Sequence, residues 1–286
     1  MFAALCAASL CAAGLVATAA AQDAQLDSSA ATRSSPESPR VGLPARAGNA
    51  LVALGSDIGY VVTSPFRLNR NGVLKTVAVL GVTGMIYVMD DEILARLQRG
   101  DSPVYEGIAD VGDALEPAGF MPNSLMAWGS AALVGKIAGW NGLETASLQI
   151  IESHLIGGGI RNASKWLIGR RRPNEEKSSQ FFEFNGGTSF PSGHAAVMFE
   201  AATVLSMRTK SLPVSIVCYT AATSVAIQRI ESKGHWPSDV FLTAVVSTVV
   251  ARAVVRRWES REAKRQEGAS IGFEPRGAGA ALTVRF

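Results

Sequence analysis

Apolar residues return every three or four positions from about residue 49 to residue 262, the spacing of a helix face rather than the alternation of a strand. The blocks predict helices over residues 49–62, 71–98, 122–140, 143–171, 194–208, 213–230 and 238–264. Pro103, Pro117, Pro122, Pro173, Pro191, Pro213 and Pro237 fall between those blocks or in their first turns, where a residue without an N–H costs least. The pattern predicts an all-α helical bundle. Alternation appears only at the end, where Leu282, Val284 and Phe286 follow Gly272, Gly277 and Gly279, which predicts a short C-terminal β-hairpin.

Outside the blocks the chain changes character. Residues 1–21 are uncharged, rich in Ala and Leu, and end in Ala19-Ala20-Ala21, the pattern of a cleavable signal peptide. Residues 22–48 are rich in Ser, Ala, Pro and Arg without an apolar period and form a flexible spacer. This leaves a helical domain over residues 49–265 and a tail over 266–286. Beyond the signal only Cys218 remains, so the domain makes no internal disulfide.

A mean hydropathy of +0.19 with 48% apolar and 18% charged residues fits a folded chain and raises the question of a membrane. The uncharged runs inside the helices are about 12 to 16 residues long, short of the roughly 20 that cross the hydrocarbon core. They favour an exported, periplasmic domain with peripheral membrane contact at most; a membrane-embedded chain is the alternative. A net charge of +3 is too small to indicate a nucleic-acid partner. The basic run from Arg252 to Arg265, interleaved with Glu259 and Glu262, is the solvated end of the last helix.

Three clusters carry chemistry. Lys165 and Arg172 stand seven residues apart, followed by Pro173. Two helical turns put them on one face, and Pro173 ends the helix so that Arg172 can turn inward. A point charge and a planar fork suit a tetrahedral dianion. The bland alternative, given Arg170 and Arg171, is a solvated basic helix end.

Next, Pro191-Ser192-Gly193-His194 precedes an apolar helix. Ser192 is a natural N-cap, Gly193 permits close backbone approach, and free N–H groups at a helix start favour an anion. His194 stands at the edge of that anion site. The third cluster is Arg229, His235 six residues on and Asp239 four beyond. A carboxylate beside an imidazole fixes its tautomer and raises the basicity of the other nitrogen, as a nucleophilic histidine needs.

Taken together, in this order and with these spacings, the three clusters resemble the signature motifs of the type 2 phosphatidic acid phosphatase and vanadium haloperoxidase superfamily. The resemblance implies a bundle of that type and metal-independent hydrolysis of phosphomonoesters or diphosphate esters, lipids among them, without a cofactor. It implies catalytic roles for His235, His194 and Asp239: His235 attacks phosphorus, Asp239 orients it, and His194 protonates the leaving alkoxide and then activates water. Lys165, Arg172, Arg229 and the Ser192 and Gly193 backbone would neutralise the phosphate oxygens. His235 must start neutral and His194 charged. One departure is Gln228, where the family often has Ser. The same site geometry serves a vanadate-dependent haloperoxidase, and a non-catalytic anion-binding protein is a third reading.

Other residues stay outside the site in this reading. His154 has no ligand-spaced partner in the sequence and is assigned a structural or supporting role. Asp90, Asp91 and Glu92 are assigned to a solvated helix end. Phe181, Phe182 and Phe184 lie between the first two clusters, as an apolar rim for a lipid tail or as ordinary loop packing.

Overall fold

The computed structural model describes residues 43–99, 103–175, 178–180, 182–268, 270–276 and 279–285. The signal segment, most of the spacer and Phe181 lie outside the described residues.

Helix α1 (Leu43–Thr63) opens inside the stretch marked as spacer. Pro44 occupies its first turn, and Ala45, Ala47 and Ala50 favour helix. After a 3₁₀ turn (Ser64–Arg67), α2 (Arg70–Val88) starts at Asn69, whose side chain accepts the Gly72 N–H. The single helix predicted over 71–98 is two. The chain turns at Met89, and α3 (Asp90–Leu97) restarts with Asp90, Asp91 and Glu92 in its first turn, where carboxylates are favoured by the helix dipole.

Helix α4 (Pro103–Gly119) runs where the spacing predicts none, and Pro117 lies inside it rather than between blocks. Pro117 sits in the last turn, and its carbonyl accepts from Asn123 Nδ2 at 2.9 Å, which fixes the corner into α5 (Met121–Ala138). Then follow α6 (Asn141–Ile168), a 3₁₀ turn (Pro173–Glu175), α7 (Gly193–Thr209), α8 (Leu212–Glu231) and α9 (Pro237–Gly268). Beyond α9, β1 (Ser270–Arg276) and β2 (Gly279–Arg285) pair antiparallel. The body of the fold is all-α.

Helix α7 is the centre. It packs on α6, α8 and α9, while α4 lies along α8. Small residues let it sit close: Ala195 and Ala196 are fully buried, as is Val204. One apolar group joins Ile150, Val204, Ala251 and Val255; another joins Leu94, Ala195, Ile230, Trp236 and Val240 under the motif residues. Each such Val or Ile contributes roughly 1.5–3 kcal/mol by leaving water. At the other end of α9, Arg257 and Arg261 bond the buried Asp57 carboxylate at 2.8 and 2.5 Å, pinning α1.

The outer surface is apolar. Helix α2 buries none of its side chains, and Val77, Leu80, Val82, Met85 and Val88 are exposed. By length and composition two helical stretches among the described residues could cross a membrane: Arg70–Val88, and Pro237–Lys264, which is half inside the bundle. The uncharged runs underestimate this reach, because α2 continues through Lys75 to Arg70.

Candidate active site

The first cluster is shaped by Gly169. It closes α6 at φ +57, and a Cβ there would lie 1.8 Å from the Glu183 carbonyl oxygen, so only glycine fits. Its N–H bonds Lys165 O at 3.0 Å, and its carbonyl accepts the Glu183 N–H at 2.8 Å. The helix therefore stops at Ile168, before Pro173 can act. Lys165 and Arg172 do not share a helix face, contrary to the two-turn spacing. They are neighbours all the same: burial, then the Arg172 charge and the Arg161 charge, lower the Lys165 ammonium below its ordinary range.

Arg170 is a buried strut, not part of a solvated basic end. It donates to Asp239 Oδ1 at 2.6 Å, to Asp90 Oδ2 at 2.7 Å, to Ser238 Oγ at 2.8 Å and to the Ser179 carbonyl. Asp90 likewise leaves the solvated role assigned to it. It is fully buried and takes the Ser238 N–H at 2.8 Å. Burial is tolerated because two carboxylates and neutral acceptors together satisfy the guanidinium fork. Arg171 is the neighbour that faces outward, paired with Glu175 and Glu183.

The third cluster folds back on itself. The Arg229 carbonyl accepts both the Gly234 and His235 N–H groups, each at 3.1 Å, which brings His235 beside Arg229. A Cβ on Gly234 would stand 2.7 Å from Arg229 Nη2, so the glycine makes room for the guanidinium. The buried His235 donates Nδ1–H to the Ser189 carbonyl. Asp239 is not its hydrogen-bond partner, contrary to the sequence expectation. The Asp239 carboxylate instead accepts from Ser189 Oγ at 2.5 Å and from Arg170. The carbonyl is the nearer acceptor, and the carboxylate is drawn to the buried cation. Burial, then the Arg172 charge, hold His235 well below the ordinary imidazole range; Lys165 and Arg229 add to this, and the Ser189 carbonyl works the other way.

Ser192 stands at the N-cap of α7, yet its side chain caps nothing. Its N–H is taken by Thr243 Oγ1 at 3.0 Å, so an anion would meet Ser192 through Oγ rather than through the backbone as the resemblance implies. Gly193 is the first helical residue, and a Cβ there would meet no protein atom within 4 Å. His194 follows in the first turn. Burial and then the Arg229 charge lower it, Glu116 raises it, and Arg172 and Lys165 lower it further. Arg229, Arg172 and Lys165 thus lie close enough to act on both imidazoles.

Glu116 escapes sequence reasoning, and two residues named there find distant partners. Glu116 on α4 lies 2.9 Å from His194 Nε2 as an ion pair and accepts from Arg229 Nη1 at 3.0 Å. Gln228 Nε2 donates to Asp113 Oδ1 at 2.8 Å, so the residue that departs from the family pattern ties α8 to α4. His154, fully buried, donates Nδ1–H to Glu200 Oε2 at 2.6 Å and meets Ser124 Oγ through Nε2 at 2.9 Å, while Arg161 bonds the second Glu200 oxygen at 2.7 Å. That closed network braces α5, α6 and α7 one turn from Lys165, a supporting role as assigned.

Among the described residues, buried donors without a protein partner include Arg172 Nε, Arg229 Nε and Ser192 Oγ. One belongs to each cluster. A buried donor left unpaired costs about 1–3 kcal/mol, and a tetrahedral oxyanion offers the acceptors all three need.

Comparison with known proteins bears on the same region. Residues 146–262 match the family model described as the PAP2 superfamily. Over 95 residues, 32% of the chain, it is 36% identical to a lipid A 1-phosphatase of Porphyromonas gingivalis; that stretch spans 19% of the relative's length. The crystal structure of Aquifex aeolicus LpxE is similar over 59% of this chain and 95% of its own, at 18% identity and a TM-score of 0.43.

Proposed function

We propose that this chain, whose residues 146–262 match the PAP2 superfamily model, is a membrane-associated phosphatase that hydrolyses lipid phosphoesters through a phosphohistidine on His235. The observation that carries this reading is the set of buried, unpartnered donors on Arg172, Arg229 and Ser192, contributed by three separate segments that also bear His194 and His235.

In the reading proposed, Nε2 of His235 holds a lone pair, since Nδ1 carries the proton given to Ser189. Nε2 attacks phosphorus as the ester P–O bond breaks, and His194 gives the leaving oxygen a proton. His194 then takes a proton from water, whose oxygen forms the new P–O bond as the N–P bond breaks. Lys165, Arg172 and Arg229 with Ser192 Oγ and the N–H of Gly193 stabilise the charge on the three equatorial oxygens, usually the largest catalytic contribution. Three side-chain cations supply the charge that a metal would supply elsewhere. Asp239 acts at one remove, through Ser189. A bound dianion also raises His194 towards the charged form that the first step needs.

A lipid substrate is supported by the surroundings. Phe120 stacks on His194 with ring centroids 6.2 Å apart, and Trp166 in the last turn of α6 is exposed with Phe182 and Phe184 of the loop beyond it. The apolar outer face of α2 gives the domain a surface for lipid, and the uncharged segment 1–21 directs export.

Purified chain in detergent, offered lipid phosphates and soluble esters in the presence of EDTA, is expected to release phosphate, fastest from a lipid, and to form an acid-labile phosphoprotein. His235→Ala is expected to abolish both. Equal phosphate release by this variant and the unaltered chain would overturn the reading.

A further inference from the structure

The C-terminal end of α4 forms a wall against His194. A Cβ on Gly119 would stand 3.1 Å from His194 Cβ and 3.2 Å from its Cδ2. Phe120 stacks on the ring with an interplanar angle of 27°. Between these contacts, one oxygen of Glu116 lies 2.9 Å from His194 Nε2 as an ion pair and accepts from Arg229 Nη1 at 3.0 Å. The ring is thus bounded on one face by an aromatic and on one edge by backbone, with a carboxylate beside one nitrogen.

We propose that Glu116 is a positioning residue whose carboxylate, in ion-pair contact with the His194 ring and bonded to Arg229, favours the charged imidazole that the first step needs. This rests on the phosphatase reading above. An opposite charge this close favours the protonated ring over the neutral one. In the first half, the ring proton passes to the leaving oxygen as its bond to phosphorus breaks. In the second, the ring accepts a proton from the water whose oxygen displaces His235. The charged groups facing His194 are Glu116 from α4, Arg229 from α8, Arg172 from the loop after α6 and Lys165 from α6. Glu116 is the anion in that set. It offsets three cations that would otherwise keep the acid discharged. By also holding Nη1 of Arg229, it links the acid to a phosphate-binding arm.

The test uses the full chain with Glu116→Gln and Glu116→Asp. With only three histidines, the His194 imidazole proton can be assigned by NMR through its loss in His194→Asn and titrated directly. Glu116→Gln is expected to lower the His194 midpoint by about one pH unit, as loss of an opposite charge within 4–6 Å does, and to leave His235 less changed. In the lipid phosphatase assay, kcat at neutral pH is expected to fall about tenfold, within the range typical of general acid catalysis, with KM moving less and Glu116→Asp recovering part of the rate. An unmoved His194 titration in a folded Glu116→Gln protein would overturn the proposal. So would a higher kcat with a lower KM, the mark of a carboxylate that merely occupies the phosphate position. The titration needs no turnover, so a chain that hydrolyses no ester would defeat the phosphatase reading and still leave Glu116 decided.

Discussion

Ser189 holds His235 with its carbonyl and Asp239 with its hydroxyl. The two bonds differ in kind. A carbonyl can only accept, so the imidazole tautomer is set by backbone and survives loss of any side chain there. Ser189→Ala is therefore expected to keep activity within about tenfold and to cost about 1–2 kcal/mol, one buried hydrogen bond. Asp239→Ala leaves the buried Arg170 with Asp90 as its remaining carboxylate and is expected to cost about 3–5 kcal/mol. Chemical unfolding of the two variants measures the difference, and equal losses would contradict it.

In the proposed mechanism the pH dependence of kcat/KM follows from the two imidazoles of the free enzyme. His235 works deprotonated, and burial with the Arg172 charge holds it well below its ordinary value of 6.5, so the acid limb lies far down. His194 works protonated and is lowered from 6.5 by burial and Arg229, so activity falls as pH rises through a midpoint below that value. The bell is expected on the acid side of neutrality, and Glu116 sets how far its basic limb extends. Initial rates at low substrate across about pH 3–9 check this; a maximum on the alkaline side would contradict it.

Gly169→Ala tests how the first cluster is placed. The new Cβ would meet the Glu183 carbonyl in a conformation that alanine avoids, at a cost of about 1–3 kcal/mol from backbone strain alone. Arg172 follows three residues later on the same displaced segment. The expected result is a lower Tm together with weaker inhibition by inorganic phosphate, which reports anion binding without chemistry. Unchanged inhibition would separate Arg172 from the turn.

The residues that meet at the site were legible where chemistry is written in local spacing. Arg229, His235, Asp239, Lys165 and Arg172 carry recognisable types at short separations, and the fold brings their surroundings together. Glu116 was not legible, because its partner Arg229 lies 113 residues away, outside any local pattern. Charged residues and prolines gave α4 no clean apolar period, although the half-buried Glu116 on it faces His194 and Arg229. Asp90 and Arg170 misled for the same reason: an exposed ion and a buried ion with a distant partner look alike until the partner, 80 residues off, is known. Asp239 shows a subtler limit. Sequence placed a carboxylate near the imidazole but could not reveal that a serine stands between them.

Asp90, Asp113 and Glu116 enter the candidate site from helices that precede residue 146, whereas its cations and His194 and His235 come after that point. Neutrality is therefore assembled from two parts of the chain. A fragment trimmed to 146–262 would retain Lys165, Arg172 and Arg229 and lose the carboxylates of the earlier helices, leaving mutual repulsion among the three cations with less to oppose it.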